Sequence, residues 1–367
     1  MTQITIDATF GEARSGRLLL PRGEVATPCF MPVGTRGAVR TLTSDDLASL
    51  GAGIILGNTY HLMLRPGHEL IARRGGLHRY IGWDGSILTD SGGFQIMSLN
   101  AKVSEEGVEF VSVYDGSRLW MTPETAVAAQ NAIGSDIQMA LDVCPKLPAS
   151  PEITKEALER TTEWAKRARE AFQRSPESET SSQFGILQGG TSEALRRESA
   201  LCTTEIGFDG YALGGLSVGE DRSERLPAIA TACANLPQNQ PRYLMGVGDP
   251  LSIIEAISAG VDMFDCVLPT RLARHGTALT SQGRLNLKNS SYAEDDTEID
   301  PEFPESPASK WSRAYLRHLL MVKEPTAARI LTLHNLAWLL HLMEQSRRAI
   351  ANGSLDELQQ KIAQVWQ

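Results

Sequence analysis

The chain has 367 residues, of which 42% are hydrophobic and 22% charged, so it can bury a large core and is not composed like a disordered protein. Its formal net charge of −9 has the wrong sign for general phosphate binding, so a nucleic-acid site would have to be a local basic patch. Five scattered cysteines, no membrane-length apolar run and no secretory leader give a cytoplasmic protein without disulfides or membrane spans as the expectation.

Short apolar runs, each closed by a polar residue or glycine, predict buried parallel strands. In chain order they are 54–56, 87–89, 137–141, 184–187, 211–213, 243–245 and 261–264. Helix-start signals with a proline in the first turn lie between several of them, at 122–124, 150–152 and 249–250. This alternation predicts an α/β fold, a (β/α)8 TIM barrel with insertions, and an open doubly wound sheet is the alternative.

The last third of the chain differs in composition. Residues 290–309 are rich in Ser, Pro, Asp and Glu, which predicts a surface insertion. Helices are expected at about 310–322 and 325–350, and Ser354 with Glu357 predicts a capping box for a final helix. We therefore divide the chain into a catalytic barrel with an N-terminal extension, 1–289, and a C-terminal helical subdomain, 290–367.

Three aspartates close predicted strands, namely Asp90, Asp142 and Asp265. A carboxylate at the end of a buried strand is costly unless it is paired or used. Two such groups in one barrel mouth suit chemistry at a sugar C1′, where one attacks the anomeric carbon and the other moves a proton on the base. For any one of them alone, an N-cap or a loop ion pair is the alternative.

Other segments offer binding groups. Gly92 and Gly93 let the backbone approach a ligand, and Phe94 offers a stacking face, although a tight turn with a core phenylalanine is the alternative. Arg271 and Arg274 follow Asp265 closely and suit RNA phosphates, with a solvated basic loop as the alternative. Neither G-x-G-x-x-G nor G-x-x-x-x-G-K-[ST] occurs, which argues against a nucleotide cofactor.

Six sequence blocks then carry a family resemblance: 27–35 (TPCFMPVGT), 56–62 (LGNTYHL), 88–95 (LTDSGGFQ), 207–216 (GFDGYALGGL), 242–248 (RYLMGVG) and 264–271 (FDCVLPTR). The chain resembles a bacterial-type tRNA-guanine transglycosylase (queuine tRNA-ribosyltransferase). The resemblance implies a (β/α)8 barrel, a homodimer, and a role in queuosine biosynthesis. The implied reaction exchanges guanine at wobble position 34 of GUN-anticodon tRNAs (Asp, Asn, His, Tyr) for 7-aminomethyl-7-deazaguanine, the prequeuosine base, through a covalent tRNA–enzyme intermediate.

By position, Asp265 resembles the family's nucleophile and Asp90 its general acid/base. The implied substrate-binding set is Asp90, Ser91, Gly92, Gly93, Phe94, Asp142, Gln188, Gly214, Gly215, Leu216 and Met245. The implied partner is the tRNA anticodon loop, and the implied contacts to it are Gly246, Val247, Gly248, Asp249, Pro250, Leu251, Ser252, Thr270, Arg271, Leu272, Ala273 and Arg274. Cys144 and Val218 favour the small prequeuosine base over the bulkier queuine.

The chain departs from the family at its structural zinc, which C-x-C-x-x-C and a later histidine hold. Phe303, Glu305 and Ala308 occupy the three cysteine positions, and only His334 remains as a candidate ligand. One histidine and one glutamate cannot form the usual closed tetrahedral site. We therefore predict no zinc and no other cofactor, and expect apolar packing around Phe303 and Trp311 in its place.

Two other functions stay open. A non-catalytic partner subunit would lack the active-site carboxylates, which this chain keeps. A paralogue with a shifted target would act on another 7-deazapurine or another nucleic acid, and the missing zinc cysteines are the reason to consider it.

Overall fold

The computed structural model describes residues 3–99, 101–146, 148–217 and 219–366. In these ranges the strands are β1 Gln3–Phe10, β2 Ala13–Leu20, β3 Gly23–Thr27, β4 Cys29–Gly34, β5 Ile54–Gly57, β6 Ser86–Thr89, β7 Lys102–Val103, β8 Val108–Val111, β9 Arg118–Met121, β10 Ile137–Met139, β11 Ser182–Leu187, β12 Gly210–Leu213, β13 Arg242–Leu244, β14 Met263–Cys266, β15 Thr277–Thr280 and β16 Gly283–Asn286. The α-helices are α1 Ser44–Ser49, α2 Thr59–Leu62, α3 His68–Arg73, α4 Gly76–Ile81, α5 Gly93–Met97, α6 Pro123–Ile133, α7 Pro151–Gln173, α8 Glu193–Ile206, α9 Arg222–Ala234, α10 Pro250–Ser258, α11 Leu268–Arg274, α12 Arg313–Met321, α13 Pro325–Asn352 and α14 Leu355–Val365. A π-helical turn, Met63–Gly67, joins α2 to α3.

Eight parallel strands close into a barrel in the order β4-β5-β6-β10-β11-β12-β13-β14. The predicted (β/α)8 fold is therefore confirmed, and the open doubly wound sheet is excluded by the pairing of β14 with β4. All seven predicted strands are present. The eighth, β4, contains Pro32, which interrupts the apolar pattern that marked the others.

The N-terminal sheet β1-β2-β3 closes one end of the barrel. Its residues Leu18 and Val25 share a buried cluster with Met31 and Phe184 of the barrel interior. Arg14 of β2 anchors the sheet, because its Nε donates to Oδ1 of Asp262, just before β14, at 2.8 Å. Since this end carries the strand N-termini, the opposite end, where the strands finish, is left as the mouth.

A second antiparallel sheet, β7-β8-β9, is inserted between β6 and α6. It packs beside the mouth, where the ring of Phe110 in β8 lies 5.7 Å from the ring of Tyr60 in α2. The sequence pattern did not predict this sheet.

The C-terminal region follows the predicted order of helices, but the predicted capping box at Ser354 was wrong. The side chain of Ser354 makes no cap bond to α14. Its backbone N–H donates to the carbonyl of Ala349 and so closes α13. This bond holds the backbone of Ser354 away from the extended conformation that an N-cap residue adopts. Residues 290–309 are mostly exposed, as predicted for a surface insertion, and the buried side chains of Ile299, Phe303 and Ala308 attach the segment to the fold.

The predicted boundary at residue 289 does not interrupt the core. Leu339 and Leu342 of α13 belong to the same buried cluster as Ile253 and Ile257 of α10. The C-terminal helices thus support the barrel directly. Among the described residues, no helix is both long enough and apolar enough to cross a membrane.

Candidate active site

The three aspartates meet at the mouth of the barrel. Asp90 directly follows β6, Asp142 lies just beyond β10, and Asp265 lies inside β14, one residue before its end. Because the eight parallel strands close into a barrel, their ends meet at one mouth, and the negative charges of Asp265 and Asp142 both act on Asp90. The prediction that these strand ends converge is therefore confirmed, although Asp265 was expected after its strand and not within it.

Asp90 is held by donors from the neighbouring strand end. The backbone N–H of Thr59 donates to its Oδ1 at 2.8 Å, and the side-chain amide of Asn58 donates to its Oδ2. Burial raises the pKa of Asp90 to about 7, and the charges of Asp265 and Asp142 add to this effect while the bond from Thr59 opposes it. A carboxyl with this pKa can both give and take a proton at neutral pH.

Asp265 is oriented through one of its two oxygens. The Tyr243 hydroxyl donates to Oδ1 at 2.6 Å, and the backbone N–H of Gly246 donates to the same atom at 2.7 Å. No donor among the described residues bonds to Oδ2, so that oxygen is the one available to a reaction partner. Burial raises the pKa of Asp265, and these two bonds lower it.

Asp142 and Gln188 form a polar pair in the same mouth. The Gln188 amide donates to Oδ2 of Asp142 at 2.7 Å, and the Ser91 hydroxyl donates to Oδ1 at 3.3 Å. Burial raises the pKa of Asp142 to about 6, against the effect of these bonds. Oε1 of Gln188 is buried without a partner, which leaves an acceptor available for the N–H of a ligand.

The predicted glycines have structural reasons to be glycine. A Cβ at position 215 would lie 2.4 Å from Oε1 of Gln188, and Gly215 has a φ of +64°. A Cβ at position 93 would lie 2.9 Å from the backbone oxygen of Asp142, so the close approach at Gly93 is to the protein itself. A Cβ at position 214 would meet Ile186 at 2.7 Å.

Phe94 is 57% exposed at the start of α5, which is unusual for a phenylalanine and leaves its face free for stacking. The alternative of a core phenylalanine is therefore wrong. Met245 is half-buried and Leu216 is buried. Cys144 is a buried thiol beside the backbone N–H of Gly215, and burial raises its pKa to about 12. Val218 lies outside the described residues.

The residues of the two predicted RNA segments differ from one another in exposure. Gly246 and Arg271 are exposed, and Asp249, Leu272 and Arg274 are half-buried. The remaining predicted contacts are buried, namely Val247, Gly248, Pro250, Leu251, Ser252, Thr270 and Ala273. Buried side chains of this kind position the loops, and the five accessible residues are the ones best placed to meet RNA directly. The RNA contacts of the two segments stay a prediction.

Three residues that hold Asp90 and Asp265, the carboxylates predicted to be catalytic, were missed. Asn58 and Thr59 follow β5 and bond to Asp90, and Tyr243 in β13 bonds to Asp265. A signal for Asn58 existed, since it closes a predicted strand as the aspartates do. Tyr243 reads as a core residue in a buried strand, but a buried tyrosine hydroxyl needs a partner, and that need was the available signal.

The position of the family's zinc is filled by other interactions. The Nδ1 of His334 hydrogen-bonds with the Ser306 hydroxyl at 2.7 Å, and its Nε2 with the carbonyl of Leu279 at 2.7 Å. Burial lowers the pKa of His334 to about 4, so the ring is neutral and both nitrogens are engaged. The residues present therefore do not fit a zinc ion.

The aromatic packing here differs from the expected joint cluster. The ring of Phe303 lies 6.2 Å from that of His334 and 4.9 Å from that of His341. Trp311 is half-buried and packs against a separate cluster that includes Leu316. Of the two aromatic residues, only Phe303 packs at His334.

Comparison with known proteins agrees with this architecture. A family described as Queuine tRNA-ribosyltransferase matches residues 8–367. Proteins named queuine tRNA-ribosyltransferase include one from Solidesulfovibrio magneticus, 51% identical over 345 residues, or 94% of this chain and 92% of the relative. Another, from Oleidesulfovibrio alaskensis, is 50% identical over 366 residues, or 99% and 97% of the two chains, and one from Bacillus velezensis is 49% identical over 351 residues, or 95% and 91%. At this identity and coverage, the chain belongs to the queuine tRNA-ribosyltransferase family.

Proposed function

We propose that the protein exchanges guanine at wobble position 34 of GUN-anticodon tRNAs for 7-aminomethyl-7-deazaguanine through a covalent intermediate on Asp265. Its family makes it a tRNA-guanine transglycosylase, a pentosyltransferase of queuosine biosynthesis. The observation that carries the finer proposal is the pair of partly buried carboxylates, Asp90 and Asp265, which lie in one mouth and are held by different donors.

In the first half of the reaction, Oδ2 of Asp265 attacks C1′ of the wobble ribose and the bond from C1′ to the purine nitrogen breaks. The electron pair of that bond leaves with guanine, which takes a proton from Asp90. In the second half, Asp90 removes the proton from the ring nitrogen of the incoming base, and that nitrogen attacks C1′ and releases the Asp265 carboxylate. A pKa of about 7 for Asp90 suits both directions of this proton transfer.

The base would bind between Phe94 and Met245. Asp142 and the unpartnered Oε1 of Gln188 are acceptors that fit the N–H groups on the edge of a guanine-like base. The N–H of Gly215 now faces Cys144, a weak acceptor that the carbonyl of a base can replace. The small thiol of Cys144 leaves room for an aminomethyl group, which supports the prequeuosine base over queuine.

The base-exchange assay tests this proposal. Wobble-guanine tRNA carrying radiolabelled guanine at position 34 is chased with the prequeuosine base, and loss of label is followed for the wild type and Asp265→Ala. We expect loss of label in the wild type only, with Asp84→Ala, at an exposed position before β6, as the matched control. A tRNA–protein adduct that survives denaturation is expected in the wild type and not in Asp265→Ala.

The same assay separates the alternatives. Exchange with a different 7-deazapurine or a different nucleic acid, and none with the prequeuosine base, would favour the paralogue. If folded wild type exchanges no base on any substrate, the protein is a non-catalytic partner subunit and the proposal fails.

We also propose that the protein is a cytoplasmic homodimer that contains no zinc. The engaged nitrogens of His334 and the burial of Phe303 support the second part. Elemental analysis of protein purified from zinc-supplemented cells is expected to find far less than one zinc per chain, and a chelator is expected to leave Tm unchanged. Stoichiometric zinc, or a chelator-induced fall in Tm, would contradict it. Light scattering tests the dimer.

A further inference from the structure

Five arginines form an arc on one side of the mouth. Arg36 and Arg40 lie in the loop after β4, Arg65 lies in the turn that follows α2 after β5, and Arg271 and Arg274 lie in α11 after β14. Since β14, β4 and β5 are neighbours in the barrel, these loops are neighbours on its rim, next to Asp265. We refer to these five residues as the arginine arc.

No carboxylate among the described residues pairs with the positive charges of the arginine arc. None of the five guanidinium groups forms an ion pair with a carboxylate of the described chain, whereas Arg14, Arg167 and Arg169 each do. The arc residues instead act on each other, because burial and then the charges of Arg40 and Arg271 lower the pKa of Arg274. In a chain with a net charge of −9, such a group of unpaired cations indicates an anionic partner.

Tyr114, in the turn between β8 and β9, holds one end of the arc. The guanidinium carbon of Arg65 lies 4.4 Å from the centre of its ring, and that of Arg36 lies 5.7 Å away. The Tyr114 hydroxyl is 3.3 Å from Nδ1 of His61, which fixes the ring. Contacts with an aromatic face orient a guanidinium group and leave its N–H donors free for a phosphate.

We propose that Arg36 and Arg65, positioned by Tyr114, bind a backbone phosphate of the tRNA anticodon loop near the wobble nucleotide. This inference rests on the proposed function and extends its RNA surface beyond residues 246–252 and 270–274. Two guanidinium groups from different loops converge there, within the same arc as Arg271. A phosphate contact of this kind places the RNA in register and does not read its sequence.

The test uses the double variant Arg36→Gln/Arg65→Gln in an Asp265→Asn background, which separates binding from covalent reaction. Binding of a wobble-guanine stem-loop RNA is followed by fluorescence anisotropy over a salt series. We expect Kd to rise by about tenfold or more at low salt, as for the loss of a charge-assisted bond. The slope of log K against log salt should become shallower by about 0.7 for each single-strand phosphate that the variant no longer neutralises.

Two controls make the result specific. Arg79→Gln/Arg174→Gln removes two exposed charges at the opposite end of the barrel and should leave both Kd and the salt slope close to the starting values. Tyr114→Phe keeps the ring and should bind nearly as well as the parent, whereas Tyr114→Leu should weaken binding. A salt slope that does not change in the Arg36/Arg65 variant, or an equal loss in the Arg79/Arg174 variant, would overturn the proposal.

Exchange kinetics separate this inference from the proposed function. With Asp265 restored, the Arg36/Arg65 variant should show a raised KM for tRNA and an unchanged KM for the free base. If the wild type exchanges no base but RNA binding still depends on Arg36 and Arg65, the proposed function fails and the phosphate-binding surface stands.

Discussion

The hydroxyl of Tyr243 donates a hydrogen bond of 2.6 Å to Oδ1 of Asp265 across two neighbouring barrel strands. The backbone N–H of Gly246 donates to the same oxygen, so both bonds fix the carboxylate by one atom and turn the other toward the mouth. Burial makes the ionised form of Asp265 costly, and these bonds offset part of that cost. The two bonds therefore favour the ionised form of Asp265 and fix the orientation of its carboxylate.

Tyr243→Phe tests this relationship because it removes one donor and keeps the ring. A hydrogen bond to a charged group is worth about 1.5–3 kcal/mol, so we expect kcat to fall by roughly 10- to 100-fold with little change in KM for the base. Loss of the bond also raises the pKa of Asp265, so the acidic limb of the pH–rate profile should move to higher pH. A fall in kcat with an unmoved acidic limb would contradict this role.

The pH dependence of the thermal stability of Asp90→Asn tests the raised pKa of Asp90. A carboxyl with a folded pKa of about 7 and an unfolded value of 3.8 holds its proton more tightly in the folded state. The stability that this provides is complete below about pH 4 and is lost as the pH rises through 7. We therefore expect the Tm difference, variant minus wild type, to increase from pH 4 to pH 8.

The control for that experiment is Asp84→Asn, which removes a carboxyl at an exposed position before β6 and should keep base exchange. A Tm difference for Asp90→Asn that stays constant from pH 4 to 8 would mean that Asp90 titrates normally. The variant should also lose base exchange, since asparagine cannot move the proton.

The sequence predicted the parts of the site that depend on strand ends. Asp90 and Asp142 follow buried apolar runs, and the barrel brings the ends of those strands together independently of the loop conformations. It did not predict Tyr243, because a tyrosine within an apolar strand has the pattern of a core residue until its hydroxyl is given a partner. The sequence also could not predict which residues of the RNA segments are exposed, because the burial of Thr270 and Ala273 depends on how α11 packs against α13.

Two features of the C-terminal region were not predictable from the local sequence, and for the same reason. Ser354 has the residue type of an N-cap, but the closing turn of the preceding helix already uses its backbone N–H. Residues 290–309 have the composition of a solvated loop, but a few buried side chains such as Phe303 tie it to the helices. In both places the tertiary context outweighs a local pattern.

Gly215→Ala tests the base pocket. The added Cβ would lie 2.4 Å from Oε1 of Gln188, and the φ of +64° is unfavourable for alanine. We expect KM for the free base to rise by at least about tenfold, as for the loss of one good polar contact, while Kd for a stem-loop RNA is retained. The matched control is Gly219→Ala, where φ is +132° but no atom lies within 4 Å of the new Cβ. Equal effects of the two changes would locate the cause in backbone strain and not in the pocket.

Asp262→Asn tests the closed end of the barrel. Asp262 is buried and accepts bonds from the guanidinium group of Arg14 and from the backbone N–H of Arg242. Its neutralisation leaves the Arg14 charge buried without its partner, so we expect the free energy of unfolding to fall by about 3–5 kcal/mol. The double variant Arg14→Met/Asp262→Leu removes both charges and should recover much of that loss.

Because this pair lies at the end of the barrel opposite to Asp265, kcat per folded molecule should match wild type in both variants. Denaturant titration measures the first effect and base exchange the second, and a double variant no more stable than Asp262→Asn would show that the buried charge is not the cause.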